Sequence, residues 1–176
     1  DIAVVKYDTN GNELWTRRYN RSYNSDDLAA AVRLETNGNL YIVGASASIT
    51  WSFTSYVVLN YDPGGNLLWQ RTYEALDSKL RPDSWRATLD TDTLGGVCIA
   101  ADSGGAYAGR HYLILKYHTT GAEEWVRRYE GPVSGDDSPA AIAIGVDGSV
   151  LVTGWSEGGA TLADVATIQY DAQGNE

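Results

Sequence analysis

The chain has 176 residues, with 13 Lys+Arg against 23 Asp+Glu for a net charge of −10, and 43% of it is apolar. So acidic a chain lacks the footprint of a nucleic-acid binder, is repelled by anionic membranes, and contains no apolar run near the roughly 20 residues of a membrane span. A single cysteine, Cys98, excludes a disulfide framework and a cysteine-based zinc site, while 19 Gly, 12 Tyr and 6 Trp favour short strands joined by tight turns.

In chain order, residues 1–19 read as two strands around the turn Asp8-Thr-Asn-Gly-Asn12. Residues 29–34 and 40–45 form a hairpin, with Thr36-Asn-Gly-Asn39 between them as an Asn-Gly turn. Residues 56–61 and 67–73 form a second hairpin around Asp62-Pro-Gly-Gly-Asn66. The same alternation returns after residue 84 and again after residue 139. No 11-residue stretch carries helical periodicity.

The strands repeat. Tyr7, Tyr61, Tyr117 and Tyr170 stand at steps of 54, 56 and 53, and Trp15, Trp69 and Trp125 at steps of 54 and 56. Each period holds four strands, many of them, such as Tyr56-Val-Val-Leu-Asn-Tyr61, apolar on both faces. A sheet covered on both sides by its neighbours, repeating every 40–60 residues, predicts an all-β chain built of β-propeller blades; a β-solenoid fits less well, because its repeats are usually shorter.

The phase places the last two strands of a blade at 1–19, whole blades at 28–73 and 84–129, and the first three strands of another at 139–176, thirteen strands in all. Thirteen strands do not close a ring of four to eight blades. The expectation is therefore a β-propeller section, belonging to a longer chain or completed by further copies.

The pattern D-x-A-x-[KQ]-Y-D-x-x-G-N-x-L-W-x-x-x-Y, followed by A-x-x-[VI] and G-N-x-Y-[VIL]-x-G, resembles the SBBP repeat, a β-propeller repeat of secreted and surface-exposed bacterial proteins. It runs through 1–19, 30–44, 60–73, 117–129, 140–154 and 164–176, with His118 and Ala122 departing from it at the third turn. The resemblance implies a propeller and a secreted or bacterial cell-surface location, and it transfers no catalytic residue.

Several side chains are candidates for chemistry. Trp15/Arg17/Tyr19, Trp69/Arg71/Tyr73 and Trp125/Arg127/Tyr129 share one strand face, with the guanidinium between two rings. We read these as blade-to-blade packing in preference to a sugar platform. The Asp-x-x-Gly-Asn turns have one carboxylate ahead of the glycine and lose it at His118 without losing the pattern, which is turn chemistry and not a calcium loop.

Asp26-Asp27, Asp83 and Asp136-Asp137 recur in the connectors before first strands. They ring a channel mouth as ligand-binding groups, or else they cap the backbone where the chain turns inward. Trp51, Trp85 and Trp155 escape the repeat and stand where specificity would be grafted, or fill gaps between unequal blades. Asp27, Asp83, Asp137, Trp51, Trp85 and Trp155 are thus the candidate ligand-binding set. His111 and His118 have no repeated partner, Cys98 is expected to be buried and inert, and Asn20-Arg-Ser22 is a glycosylation sequon.

No hydrolase elbow, zinc-protease or phosphate-loop motif is present, and no cofactor or metal is expected. The preferred expectation is a non-catalytic extracellular module for adhesion, protein or carbohydrate binding, or assembly. Two alternatives stay open: part of a quinoprotein-like propeller enzyme, whose Y-D-x-x-G-x-x-L-W docking motif is similar, and a subunit of a self-assembling ring or filament.

Overall fold

The computed structural model describes residues 1–21, 26–47, 53–74, 86–105, 109–159 and 162–176. Its local structure starts from one turn, used seven times, beginning at Asp8, Glu35, Asp62, Asp92, His118, Gly145 and Asp171. In each, the first residue's N–H donates to the fifth residue's carbonyl, and the fourth residue's N–H donates to the first's carbonyl. The fourth residue is always glycine, with φ between 78° and 86°, a left-handed conformation that costs glycine nothing. The hairpin expected around Thr36-Asn-Gly-Asn39 is present, with Asn37-Gly38 as the third and fourth residues of a five-residue turn in which the glycine takes the positive φ.

Where the first turn residue is Asp, its carboxylate holds the loop together. Asp62 Oδ1 accepts the Asn66 N–H at 2.8 Å and Oδ2 accepts the Asn66 side-chain amide at 2.8 Å; Asp8 and Asp171 repeat both bonds with Asn12 and Asn175. These bonds favour the ionised form and hold all three carboxyls below their ordinary range. At the departing turn, His118 Nδ1 faces the Thr120 N–H at 3.3 Å, taking over one of the carboxylate's contacts.

The strands form four antiparallel sheets in which sequence neighbours pair. The first holds β1 (Ile2–Tyr7) and β2 (Glu13–Tyr19). The second holds β3 (Asp27–Leu34), β4 (Leu40–Ala47), β5 (Phe53–Tyr61) and β6 (Leu67–Glu74). The third holds β7 (Ala87–Thr91), β8 (Val97–Gly105), β9 (Gly109–Tyr117) and β10 (Glu123–Tyr129), and the fourth β11 (Asp137–Ile144), β12 (Val150–Glu157) and β13 (Ala163–Tyr170). The fold is all-β, with thirteen strands and no helix among the described residues; the four sheets do not close on one another.

Successive sheets bury their faces against each other in three cores. Val57, Leu59 and Tyr61 pack on Ile2, Val4 and Trp15 of the first sheet, while Tyr56 and Val58 of the same strand pack on the third. Strand periodicity alone sends alternate residues of β5 to opposite neighbours, so a run apolar on both faces is wholly buried. Cys98, Ala100, Tyr112 and Ile114 close the third core against Val150, Val152, Ile168 and Tyr170. Burial pushes the Cys98 thiol far up, as expected for an inert thiol.

The first strands of the second and fourth sheets begin earlier than the apolar pattern suggests. Asp27 and Asp137 are the opening residues of β3 and β11 and not part of the connectors. Ala30 and Ala140 fall at register shifts in β3 and β11, and beside the second of these bulges Pro139 is tolerated within a strand. Strands β3, β7 and β11 converge: Asp90 Oδ1 pairs with Arg33 at 3.1 Å and Asp90 Oδ2 accepts the Ile144 N–H at 3.0 Å.

Candidate functional site

The Trp-x-Arg-x-Tyr strands dock each sheet onto the next. The indole N–H of Trp15 donates to the Pro63 carbonyl at 3.1 Å, that of Trp69 to Thr119 at 2.7 Å, and that of Trp125 to Ala172 at 3.1 Å. The guanidinium two residues on donates to the turn glycine's carbonyl: Arg17 to Gly65 and Arg71 to Gly121, both at 2.6 Å, and Arg127 to Gly174. Each Arg stands 5.7–5.9 Å from its own Trp ring, and each Trp lies 6.0–6.2 Å from a Tyr of the following sheet. Trp15, Trp69 and Trp125 are 7–9% exposed, so these side chains hold sheets together and present no stacking platform.

The expected ladder, with Arg between the Trp and Tyr of one strand, is corrected by these contacts. Arg71 is drawn to the Gly121 carbonyl, so it is not sandwiched between Trp69 and Tyr73. Tyr73, opposite Tyr56 in the β5–β6 register, instead packs half-buried against the core between the second and third sheets. Tyr19 and Tyr129 likewise pack half-buried against the cores beside them, the Tyr129 ring 5.2 Å from that of Tyr112. The tyrosine of the motif is thus a packing residue, and the guanidinium's partner is the next sheet's turn.

Antiparallel pairing puts all seven tight turns at one end of the sheets and the other connectors at the opposite end. Of the candidate aspartates, Asp27 and Asp137 lie at the connector end and are inside the protein. Asp27 is 1% exposed; its Oδ1 accepts the Ser46 hydroxyl at 2.6 Å and its Oδ2 the Arg21 N–H at 3.1 Å. Asp137 is fully buried, accepts the Gly131 N–H at 2.8 Å, and has His111 Nδ1 at 3.5 Å. Each carboxylate ties down a backbone donor six residues upstream, which is the capping role and not an open ring of acids. Asp83, Trp51, Trp85 and the sequon residue Ser22 lie outside the described residues.

One cluster at this end does not repeat. Position 102 in β8 is Asp, where the equivalent position of β4 is Ala45 and that of β12 is Trp155. Asp102 is 0% exposed; Ser138 donates to its Oδ1 at 2.6 Å, and its Oδ2 has no hydrogen-bond partner among the described residues. Burial pushes its carboxyl up to about 6, against the opposing pull of the Ser138 hydroxyl, Arg110 and Arg86. Alongside, Arg110 holds Asp136 with a two-pronged pair at 2.9 and 3.1 Å, and its backbone N–H reaches the other carboxylate oxygen at 2.9 Å. The same guanidinium stands 5.2 Å from the half-buried Trp155 ring, and Glu157 reaches the Asp136 N–H at 3.3 Å.

The structure thus joins Trp155 to Arg110, Asp136 and Asp102, none of which sequence reasoning placed together apart from the Asp136-Asp137 pair. The available signal was a break in the repeat: Asp102 is an acid inside an apolar strand pattern. Beside the cluster, Ala29, Ala30, Arg86, Thr88, Pro139 and Ala140 line a depression of about 370 Å³ where the three first strands converge. Small side chains there leave Arg86 as its charged wall.

These features define a protein of stacked, repeated antiparallel sheets with one irregular polar cluster at its connector end. The chain matches no protein-family model and no curated protein sequence.

Proposed function

We propose that this chain is a section of an extracellular bacterial β-propeller and acts as a non-catalytic binding module, with Trp155 and the Arg110–Asp136 pair as its ligand-recognition surface. The observation that carries the proposal is the contrast within the repeat. Trp15, Trp69 and Trp125 are buried and spent on inter-sheet docking, whereas Trp155 is only half-buried and is braced by a guanidinium that is itself fixed by a carboxylate. A rigid aromatic ring beside fixed charged groups suits the apolar face and hydroxyls of a sugar. Convergence of the first strands, two-sided burial of the middle strands and the SBBP-like motif support the propeller reading.

The test is a glycan array followed by calorimetry on the hits. Binding that Trp155→Ala abolishes and Trp69→Phe leaves intact supports the proposal. A chain that binds no glycan, or one whose binding ignores Trp155→Ala, removes it.

A further inference from the structure

The docking motif has a seat that this chain builds four times. Gly65, Gly121 and Gly174, the fourth residues of turns 62–66, 118–122 and 171–175, are buried under Trp15, Trp69 and Trp125. A Cβ on any of them would stand 2.7–2.8 Å from the indole. The turn at Asp8-Thr-Asn-Gly-Asn12 has the same backbone bonds and the same glycine conformation, φ 83°, and it shares with turns 62–66 and 171–175 the Asp–Asn side-chain bond, here at 2.9 Å. Gly11 nevertheless is exposed, and no described atom lies within 4 Å of where its Cβ would stand. Thr9 and Gly11 occupy the positions whose carbonyls accept the indole and guanidinium N–H groups in the other three turns.

We infer that the 8–12 turn is a docking seat for the Trp-x-Arg-x-Tyr strand of a further repeat of this type, with Trp over Gly11 and donating to the Thr9 carbonyl, and Arg donating to the Gly11 carbonyl. The occupant's chemistry follows from the three seats that are filled. A bare glycine Cα accepts a flat indole, and two outward carbonyls at fixed spacing accept one indole and one guanidinium N–H. All three such strands of this chain are engaged within it, so a second copy with the same internal docking has none to offer. The inference rests on reading the sheets as successive repeats of one stack, and it is independent of the ligand proposed for Trp155.

The test is an NMR titration of the isotope-labelled full chain with the synthetic octapeptide Asn-Leu-Leu-Trp-Gln-Arg-Thr-Tyr, the sequence of residues 66–73. Saturable shifts confined to the amides of residues 8–12, with a Kd on the order of 1 mM, are expected for one strand held by these contacts. They should weaken at least tenfold for the peptide with Trp replaced by Ala. They should also weaken at least tenfold for the Gly11→Asn chain, since Asn tolerates the left-handed conformation while its side chain covers the seat. The inference is overturned by no shift at 8–12, by equal binding of the Trp-less peptide, by shifts confined to β13, or by a chain that dimerises through this turn without peptide. Trp155→Ala should leave the titration unchanged, so a failed glycan result and a failed docking result are told apart.

Discussion

Trp69 covers Gly121 so closely that the smallest side chain would collide with it: a Cβ on that glycine would stand 2.7 Å from the indole. One residue of the second sheet thereby dictates the identity of one residue in the third, 52 positions away. The contact also explains why the Trp-x-Arg strand and the turn glycine recur with the same period.

Gly121→Ala and Gly11→Ala should therefore differ although both glycines have nearly the same φ, 78° and 83°. At Gly11 the cost is the left-handed conformation alone, about 1–2 kcal/mol. At Gly121 the displaced indole adds about 1–3 kcal/mol. Urea unfolding of the two variants checks this, and equal losses would show that the indole contact contributes nothing.

Asp102 predicts a pH dependence of opposite sign to that of the turn aspartates. Its folded-state carboxyl, at about 6, lies above the unfolded value of about 3.9, so the folded state binds its proton more tightly. The stability linked to that proton is fully present below about pH 4 and is lost as pH rises through about 6. Asp8, Asp62 and Asp171 are held below their ordinary range, so their contribution is present above it and falls away on acidification. In wild type minus Asp102→Asn, stability should drop by about 2–3 kcal/mol between pH 4 and 7. A flat difference curve from thermal melts would contradict the assignment.

His118→Asp should stabilise the chain. It restores the carboxylate that in Asp8, Asp62 and Asp171 accepts backbone N–H groups of the turn, where His118 Nδ1 faces one, that of Thr120. A gain of about 0.5–1 kcal/mol is expected from such a turn correction, read as a rise in Tm. Adding Ala122→Asn should increase it, because Asn66 bonds Asp62 through both its backbone and its side chain.

Gly131→Ala should destabilise the connector end. A Cβ there would overlap Ser156 Oγ and Asp137 Oδ1, two buried atoms already without hydrogen-bond partners among the described residues. The expected loss is about 1–3 kcal/mol, with faster amide exchange at Gly131 as its bond to Asp137 weakens.

The period, the turns and the strand order were legible because they are local. Asp-x-x-Gly-Asn and a two-residue apolar alternation act within a few residues, and a turn that recurs three times intact and once altered at 118–122 makes coincidence untenable. The Asn37-Gly38 hairpin was legible on the same grounds, but the dipeptide suits two turn types, and the Glu35–Asn39 bonds decide between them. The docking of Trp15, Trp69 and Trp125 onto the next sheet was partly legible, since their spacing marked them as structural, but their acceptors were not. The Pro63, Thr119 and Ala172 carbonyls carry no sequence signature. Spacing likewise put Arg71 and Tyr73 on one strand face, but it could not show that a carbonyl of the next sheet outcompetes the Tyr73 ring for the guanidinium.

By itself, then, the amino-acid order determined an all-β chain of thirteen strands with glycine at every tight turn, because hydrogen bonds within hairpins and alternate-face burial follow from neighbouring residues. Only tertiary structure decided which polar groups are buried. Asp27 and Asp137 proved to be inward anchors, and Asp102, Arg110 and Trp155 met across two sheets. Desolvation and ion pairing depend on what each packed sheet brings within a few ångströms, and residues 45 to 54 positions apart in the chain are brought together only when the sheets stack.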